Sequence, residues 1–119
     1  MRYALLITGD EKASENMSAE EGAAIVTAYK RYTEDLMKAG VLLAGEGFHR
    51  TDRGARVSVA FGKRKVTDGP FSESKEVIGG YFLIQVKTRD EALEWASRCP
   101  AAHYSDRSFV EVREIMEFS

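Results

Sequence analysis

The chain has 119 residues, which is the size of one domain, and we expect a single domain over residues 1–119. Hydrophobic residues make up 44% and charged residues 30%, a composition typical of a folded globular protein. The net charge of −2 provides no general attraction to nucleic acid or to anionic membranes, so we expect neither as a partner.

The number of cysteines and the N-terminal sequence indicate the cellular compartment of the protein. Cys99 is the single cysteine, which excludes an internal disulfide and every Cys-x-x-Cys motif. With only two histidines, we also expect no metal and no cofactor. The apolar run at residues 3–8 is too short for a signal-peptide core, and no run reaches the ~18 apolar residues that cross a bilayer. These features favour a cytoplasmic protein.

The first third of the chain predicts a strand, a long helix and a second strand. Residues 3–8 are nearly all apolar, as in a covered strand. Ser18 and Glu21 form a capping box that starts a helix, and Gly40 is typical of the residue that follows a helix end. We therefore predict an amphipathic helix over about 19–39 and a strand over 41–48. The apolar face of this helix comprises Ile25, Tyr29, Tyr32 and Leu36.

A hairpin is predicted next. Alternating residues 57–61 indicate one strand, Gly62-Lys63 suits a two-residue turn, and residues 64–67 indicate a returning edge strand. The segment is locally basic. The ordinary interpretation is a solvated hairpin whose charges prevent sheet-to-sheet aggregation, and the alternative is a surface that docks onto an acidic protein.

The last third repeats the order of the first. Residues 81–86 predict a strand, Thr88 and Glu91 form a second capping box, and Pro100 ends the short helix that follows. Residues 109–114 alternate as a final strand. The order predicts a ferredoxin-like α+β fold, βαββαβ, with an inserted β-hairpin. Two helices can cover only one face of the sheet, so we expect a homodimer through the open, apolar sheet face.

The motif Val66-Thr67-Asp68-Gly69-Pro70-Phe71-Ser72-Glu73-Ser74-Lys75-Glu76, followed by residues 79–84, resembles the YCII-related family, and within it the DGPF branch. The resemblance spans nearly the whole chain. It implies a dimeric α/β-barrel fold. Some members of the branch are encoded beside extracytoplasmic-function sigma factors, which implies a regulatory link to a sigma-factor system. Members of the wider family carry a His–Asp pair in a cleft, but the first helix here has no histidine, and Tyr29 stands about where that histidine would be.

Three residues are candidates for proton transfer. Asp68 precedes Gly-Pro, where turn formation alone explains it, although the loop could also face a ligand cleft. Glu46 lies between two glycines on a strand and would act as an acid or base if buried, whereas a strand glutamate is mostly solvated. His49 is a proton carrier at the end of that strand or an ordinary loop histidine.

Aromatic side chains are the candidates for ligand binding. Tyrosines at helical and strand spacing are commonly core residues, but a buried hydroxyl needs a partner and can orient a small ligand. Phe71 would anchor the Asp-Gly-Pro-Phe loop. The candidate set is Tyr3, Tyr29, Tyr32, Phe71 and Tyr81.

Two functions follow from these features. The preferred one is a cytoplasmic homodimer that binds a small molecule or a protein partner and works as an accessory or regulatory module. The alternative is an enzyme, independent of metal and cofactor, that performs acid–base chemistry on a small organic substrate in a cleft of the dimer. The enzyme hypothesis requires at least two of Glu46, His49 and Asp68 to meet beside one cavity.

Overall fold

The computed structural model describes residues 1–71, 76–105 and 107–118. Residues 72–75 of the predicted motif therefore lie outside the described residues. Short 3₁₀ turns occur at Glu11–Ser14, Thr51–Arg53 and Pro100–His103. The regular elements, in chain order, are β1 (Arg2–Gly9), α1 (Ala19–Lys38), β2 (Leu42–Gly47), β3 (Ala55–Ala60), β4 (Lys63–Asp68), β5 (Val77–Gln85), α2 (Arg89–Arg98) and β6 (Phe109–Glu114).

Both helices begin at the predicted capping boxes. The Ser18 hydroxyl accepts a hydrogen bond from the Glu21 backbone N–H at 3.1 Å, and Thr88 accepts one from Glu91 at the same distance. Gly40 has φ +73°, the left-handed conformation that glycine adopts without strain at a helix end. The boundaries of α1 and α2 are therefore set by local chemistry.

Four strands form one antiparallel sheet in the order β2-β5-β1-β6. The two strands that α1 connects, β1 and β2, are not neighbours, because β5 lies between them. Likewise, β1 lies between β5 and β6, which α2 connects. This α+β arrangement is compatible with the predicted ferredoxin-like fold. No helix in the described parts of the chain is long and apolar enough to cross a membrane.

The predicted hairpin is present as a separate two-stranded sheet of β3 and β4. Its turn lies one residue earlier than expected, because Ala60 pairs with Lys63 and leaves Phe61 and Gly62 in the loop. Both loop residues have positive φ, 52° and 73°. Such a turn matches the right-handed twist of the strands it joins.

The core lies between the helices and one face of the large sheet. Leu5, Leu36, Ile84 and Cys99 are its largest fully buried side chains. The Tyr32 hydroxyl is also buried and donates a 2.7 Å hydrogen bond to the Trp95 carbonyl, which ties α1 to α2. This packing is concentrated around the second half of α1.

The opposite face of the sheet is covered by neither α1 nor α2. Side chains alternate along each strand, so the register that buries Leu5 and Phe82 turns their neighbours to this open face. The residues turned outward at its centre are Ala4, Leu6, Tyr81 and Leu83, and all four are only half-buried. Phe48 lies against Tyr81 with ring centroids 6.0 Å apart and is itself half exposed.

Candidate functional site

The first half of α1 extends past the packed core and forms one wall of a cleft. The helix has 20 residues and is about 30 Å long, but its buried residues are Tyr32 and Leu36, both in the second half. Between the first half and the end of the sheet lies a cavity of about 510 Å³. Ile25 of α1, Ile7 of β1 and Ile78 of β5 line it.

Aromatic side chains close the inner end of this cleft. The ring of Tyr29 stacks on Phe82 at 6.4 Å and meets Tyr104 edge-on at 6.3 Å. A second cavity of about 300 Å³ shares Ile7 and Tyr29 with the cleft. Gly45 borders this second cavity, and a Cβ atom there would come within 2.8 Å of the Phe82 ring. The glycine therefore lets β2 pass close to the aromatic wall.

Tyr29 lies beside the fully buried Cys99 and the partly exposed Tyr104. Burial raises the pKa of Tyr29 far above its ordinary value, and the neighbouring Cys99 and Tyr104 raise it further. Burial likewise raises the pKa of the Cys99 thiol. At neutral pH, Tyr29 therefore presents a neutral hydroxyl rather than a phenolate.

Three acidic residues lie along the outer rim of the cleft. Asp10 accepts hydrogen bonds from the Lys12 backbone N–H at 3.0 Å and from Arg107 at 3.2 Å, which lower its pKa. Glu11 accepts two from Thr51, at 2.7 and 2.9 Å. Glu21, in the first turn of α1, is exposed and makes no ion pair with a described residue.

The Asp-Gly-Pro-Phe loop supports this rim. The Phe71 backbone N–H donates to the Thr51 hydroxyl at 3.1 Å, so Thr51 joins the loop to Glu11. A Cβ atom on Gly69 would overlap the Thr51 carbonyl oxygen, which explains why this position has no side chain. The Arg56 guanidinium lies 3.9 Å from the centroid of the Phe71 ring. The motif thus holds the segment that borders the cleft.

The three predicted proton-transfer residues do not meet. His49 lines the cleft. Glu46 borders the second cavity, but it pairs with Tyr81, so its side chain turns to the open face of the sheet. Asp68 is exposed at the end of β4. Among the described residues, no hydrogen bond joins any two of the three. Arg53 instead donates to His49 Nε2 at 3.1 Å, because a guanidinium can only donate.

The five predicted ligand-binding residues are also dispersed. Tyr29 alone among them lines the cleft. Tyr3 and Tyr32 are buried, with their hydroxyls bonded to Glu114 at 3.5 Å and to Trp95. Tyr81 is on the open sheet face, and Phe71 borders a separate hollow of about 220 Å³. The five residues do not line one shared cavity, and their ligand-binding roles stay predictions.

Several residues of the cleft were not found from the sequence. Tyr104, Ser105 and Ser108 enter it from the loop before β6, and Asp10 enters from the loop after β1. Arg107 and Asp10 are 97 residues apart in the chain, and no local pattern links them. Met17 also lines the cleft, and its place directly before the predicted capping box is the sequence signal that puts it beside the start of α1.

Comparison with known proteins identifies the family of this fold. The whole chain, residues 1–119, matches the YCII-related domain. The chain belongs to the YCII-related family. An uncharacterized protein of Rhizobium meliloti (strain 1021) is 32% identical to it over 115 residues, which cover 97% of this chain and 92% of that protein.

In this YCII-related chain, the cleft is organised around a tyrosine on α1. The helix contains no histidine, and Tyr29 occupies the inner wall. Within the described residues, no group of three or more His, Cys, Asp and Glu is placed to hold a metal ion. The described lining provides apolar contact, hydrogen-bonding groups, the charge of the acidic rim and His49.

Proposed function

We propose that this YCII-related chain is a homodimeric small-molecule-binding module and that its ligand occupies the cleft beneath the first half of α1. The observation that carries the proposal is the cleft itself. Its volume of about 510 Å³ lies within the roughly 300–1,000 Å³ typical of ligand pockets. Isoleucine and aromatic walls provide contact area, and the few polar groups at the rim provide orientation.

The homodimer is supported by the open face of the sheet. Leu6, Tyr81 and Leu83 lie at its centre without a helix over them, and Phe48 extends the apolar surface. A second copy related by two-fold symmetry would bury the same surface on both chains. Sedimentation equilibrium at micromolar concentration tests this part, and a monomer at that concentration would contradict it.

The finer placement is the DGPF branch, supported by the Asp68–Phe71 motif and by its contacts with Thr51. On this placement, the module has an accessory or regulatory role in a cytoplasmic sigma-factor system. Ligand binding in the cleft would then alter a surface to which the partner binds. Co-purification of the tagged chain with a sigma factor from its own cells tests the partner, and recovery without one would count against it.

The alternative is an enzyme that performs acid–base chemistry in the same cleft. His49 favours it, because its imidazole lines the wall of the cavity. We favour binding because the Nε2 lone pair of His49 already accepts from Arg53, and no carboxylate of a described residue bonds to the ring. Turnover of a bound ligand that disappears in His49→Ala would support the enzyme instead.

A thermal-shift screen of metabolites tests the binding function. A ligand of the cleft should raise the melting temperature of the wild-type protein. Ile25→Trp fills the cleft from α1 and should abolish that shift. Val26→Trp is the matched control, since Val26 is the next residue and is more than half exposed. Ligands that stabilise Ile25→Trp as much as the wild type, or a screen without any stabilising ligand, would refute the proposal.

A further inference from the structure

The β3–β4 hairpin carries a largely apolar face that no described residue of its own chain covers. Arg64 lies on this face together with three valines: Val57 pairs with Val66, and Val59, two residues along, pairs with Arg64. The three valine side chains are 62%, 49% and 66% exposed in that order, and Phe61 at the turn is fully exposed. A two-stranded hairpin by itself is only marginally stable in water, so this one needs a surface to pack against.

The other face of the hairpin is polar and basic. Arg56, Ser58 and Ala60 pair with Thr67, Lys65 and Lys63. Residues 55–68 hold four of the chain's 17 basic residues and one of its 19 acidic residues. The hairpin is therefore positive, and the rest of the chain is correspondingly acidic. Charge of this kind is self-complementary, since the hairpin of one copy is attracted to the body of another.

The shape of the molecule shows that the hairpin does not fold back on its own core. All twelve residues of β3 and β4 are exposed. The radius of gyration is 16.1 Å, whereas a compact domain of this length has about 13.5 Å. The principal extents are 47 × 45 × 21 Å. A flat molecule with a projecting hairpin can reach past its own edge to a second molecule.

We propose that the hairpin is an arm that packs its apolar face, Val57, Val59, Val66 and Phe61, against a second copy of this chain. The inference rests on the homodimer of the proposed function and adds a second contact to it. In a two-fold dimer, each copy contributes one arm and receives one, so the contact is made twice. The arm covers its valines, and Arg64, which pairs with Val59 on the same face, lies against the acidic body of the partner copy. The basic residues of the opposite face add attraction at longer range.

The first test compares polar substitutions on the two faces of the arm. Val57→Gln combined with Val59→Gln puts two amides into the apolar contact and should weaken dimerisation by about 100-fold in sedimentation equilibrium. Ser58→Gln is the matched control, because it lies between the two valines on the opposite face and should leave the dimer within about threefold of wild type. An unchanged dimer in the double variant would overturn the arm and leave the sheet-face dimer standing.

The second test measures accessibility directly and does not depend on the double variant folding normally. Cys99 is fully buried, so an introduced cysteine would be the single exposed thiol of the chain. Val59→Cys should react with a maleimide at least about tenfold more slowly at dimer than at monomer concentrations, whereas Ser58→Cys should react equally at both. Equal rates for Val59→Cys would refute the arm, and a wild-type protein that is monomeric throughout would refute the arm and the proposed homodimer together. The proposal that the cleft binds a ligand is tested separately by thermal shift, and neither result contradicts it.

Discussion

The two halves of α1 belong to one continuous helix but meet different surroundings. The second half places Tyr32 and Leu36 into a filled core, where the Tyr32 hydroxyl is bonded to α2. The first half places Ile25 on the wall of a cavity of about 510 Å³. An apolar helix face thus stabilises the fold where the sheet and α2 oppose it, and it forms a ligand-sized cleft where they end.

The difference between the two ends originates in the strands under the helix. At the filled end, β5 presents Phe82 and Ile84, both buried. Towards the open end, Gly79 of the same strand lines the cleft and Gly47 of β2 lines the second cavity, and a Cβ atom at either glycine would meet no other atom within 4 Å. Glycines supply no side chain to fill the space beneath α1, so the cavity follows from residue size.

Truncating one side chain in each half of α1 gives the largest expected contrast. Leu36→Ala leaves a cavity in the filled core and should lower the free energy of unfolding by about 3 kcal/mol. Ile25→Ala removes a side chain from an existing cavity and should cost less than about 1 kcal/mol. Urea denaturation measures both. Similar losses for the two variants would mean that the cleft is filled in solution.

The paired tyrosines of α1 sharpen the contrast through hydrogen bonding. Tyr32→Phe leaves the buried Trp95 carbonyl without its donor and should cost about 1.5 kcal/mol. Tyr29→Phe, at the cleft wall, should cost less in stability and instead weaken ligand binding. Denaturation together with ligand titration separates the two effects. A larger stability loss from Tyr29→Phe than from Tyr32→Phe would show that the Tyr29 hydroxyl, rather than that of Tyr32, stabilises the fold.

The sequence predicted the filled end better than the open one. Both capping boxes, the helix face and the order of helices and strands along the chain arise from local spacing, and the structure confirms them. The hairpin turn lies one residue before the predicted Gly62-Lys63, because Gly62 occupies the second loop position rather than the first. The cleft could not be predicted, since its loops meet through contacts such as Arg107 with Asp10 that leave no local pattern.

The rim of the open end depends on the contacts of Thr51, and a conservative pair of variants tests this. Thr51→Val keeps the shape of the side chain but loses the hydroxyl that bonds Glu11 and Phe71, and it should cost about 1 kcal/mol. Thr51→Ser retains the hydroxyl and should lie within about 0.5 kcal/mol of wild type. Thermal denaturation measures the two. Equal destabilisation by both variants would show that packing, rather than the hydroxyl, holds the Asp-Gly-Pro-Phe loop.

The smallest expected effect is a pH dependence confined to the open end. The Lys12 backbone N–H and the Arg107 guanidinium lower the pKa of Asp10 in the folded protein below its ordinary 3.8. The unfolded chain therefore binds this proton more readily, so the stabilisation from Asp10 is present above pH 3.8 and is lost as the pH falls through the lowered pKa. Hydrogen exchange should show the amides of residues 11–14 losing protection in that acidic window before those of α2. Asp10→Asn should remove this earlier loss of protection at residues 11–14, because the amide side chain does not titrate. If the amides of residues 11–14 and of α2 lost protection equally in the wild type, acid would be acting on the whole fold rather than on the rim of the cleft.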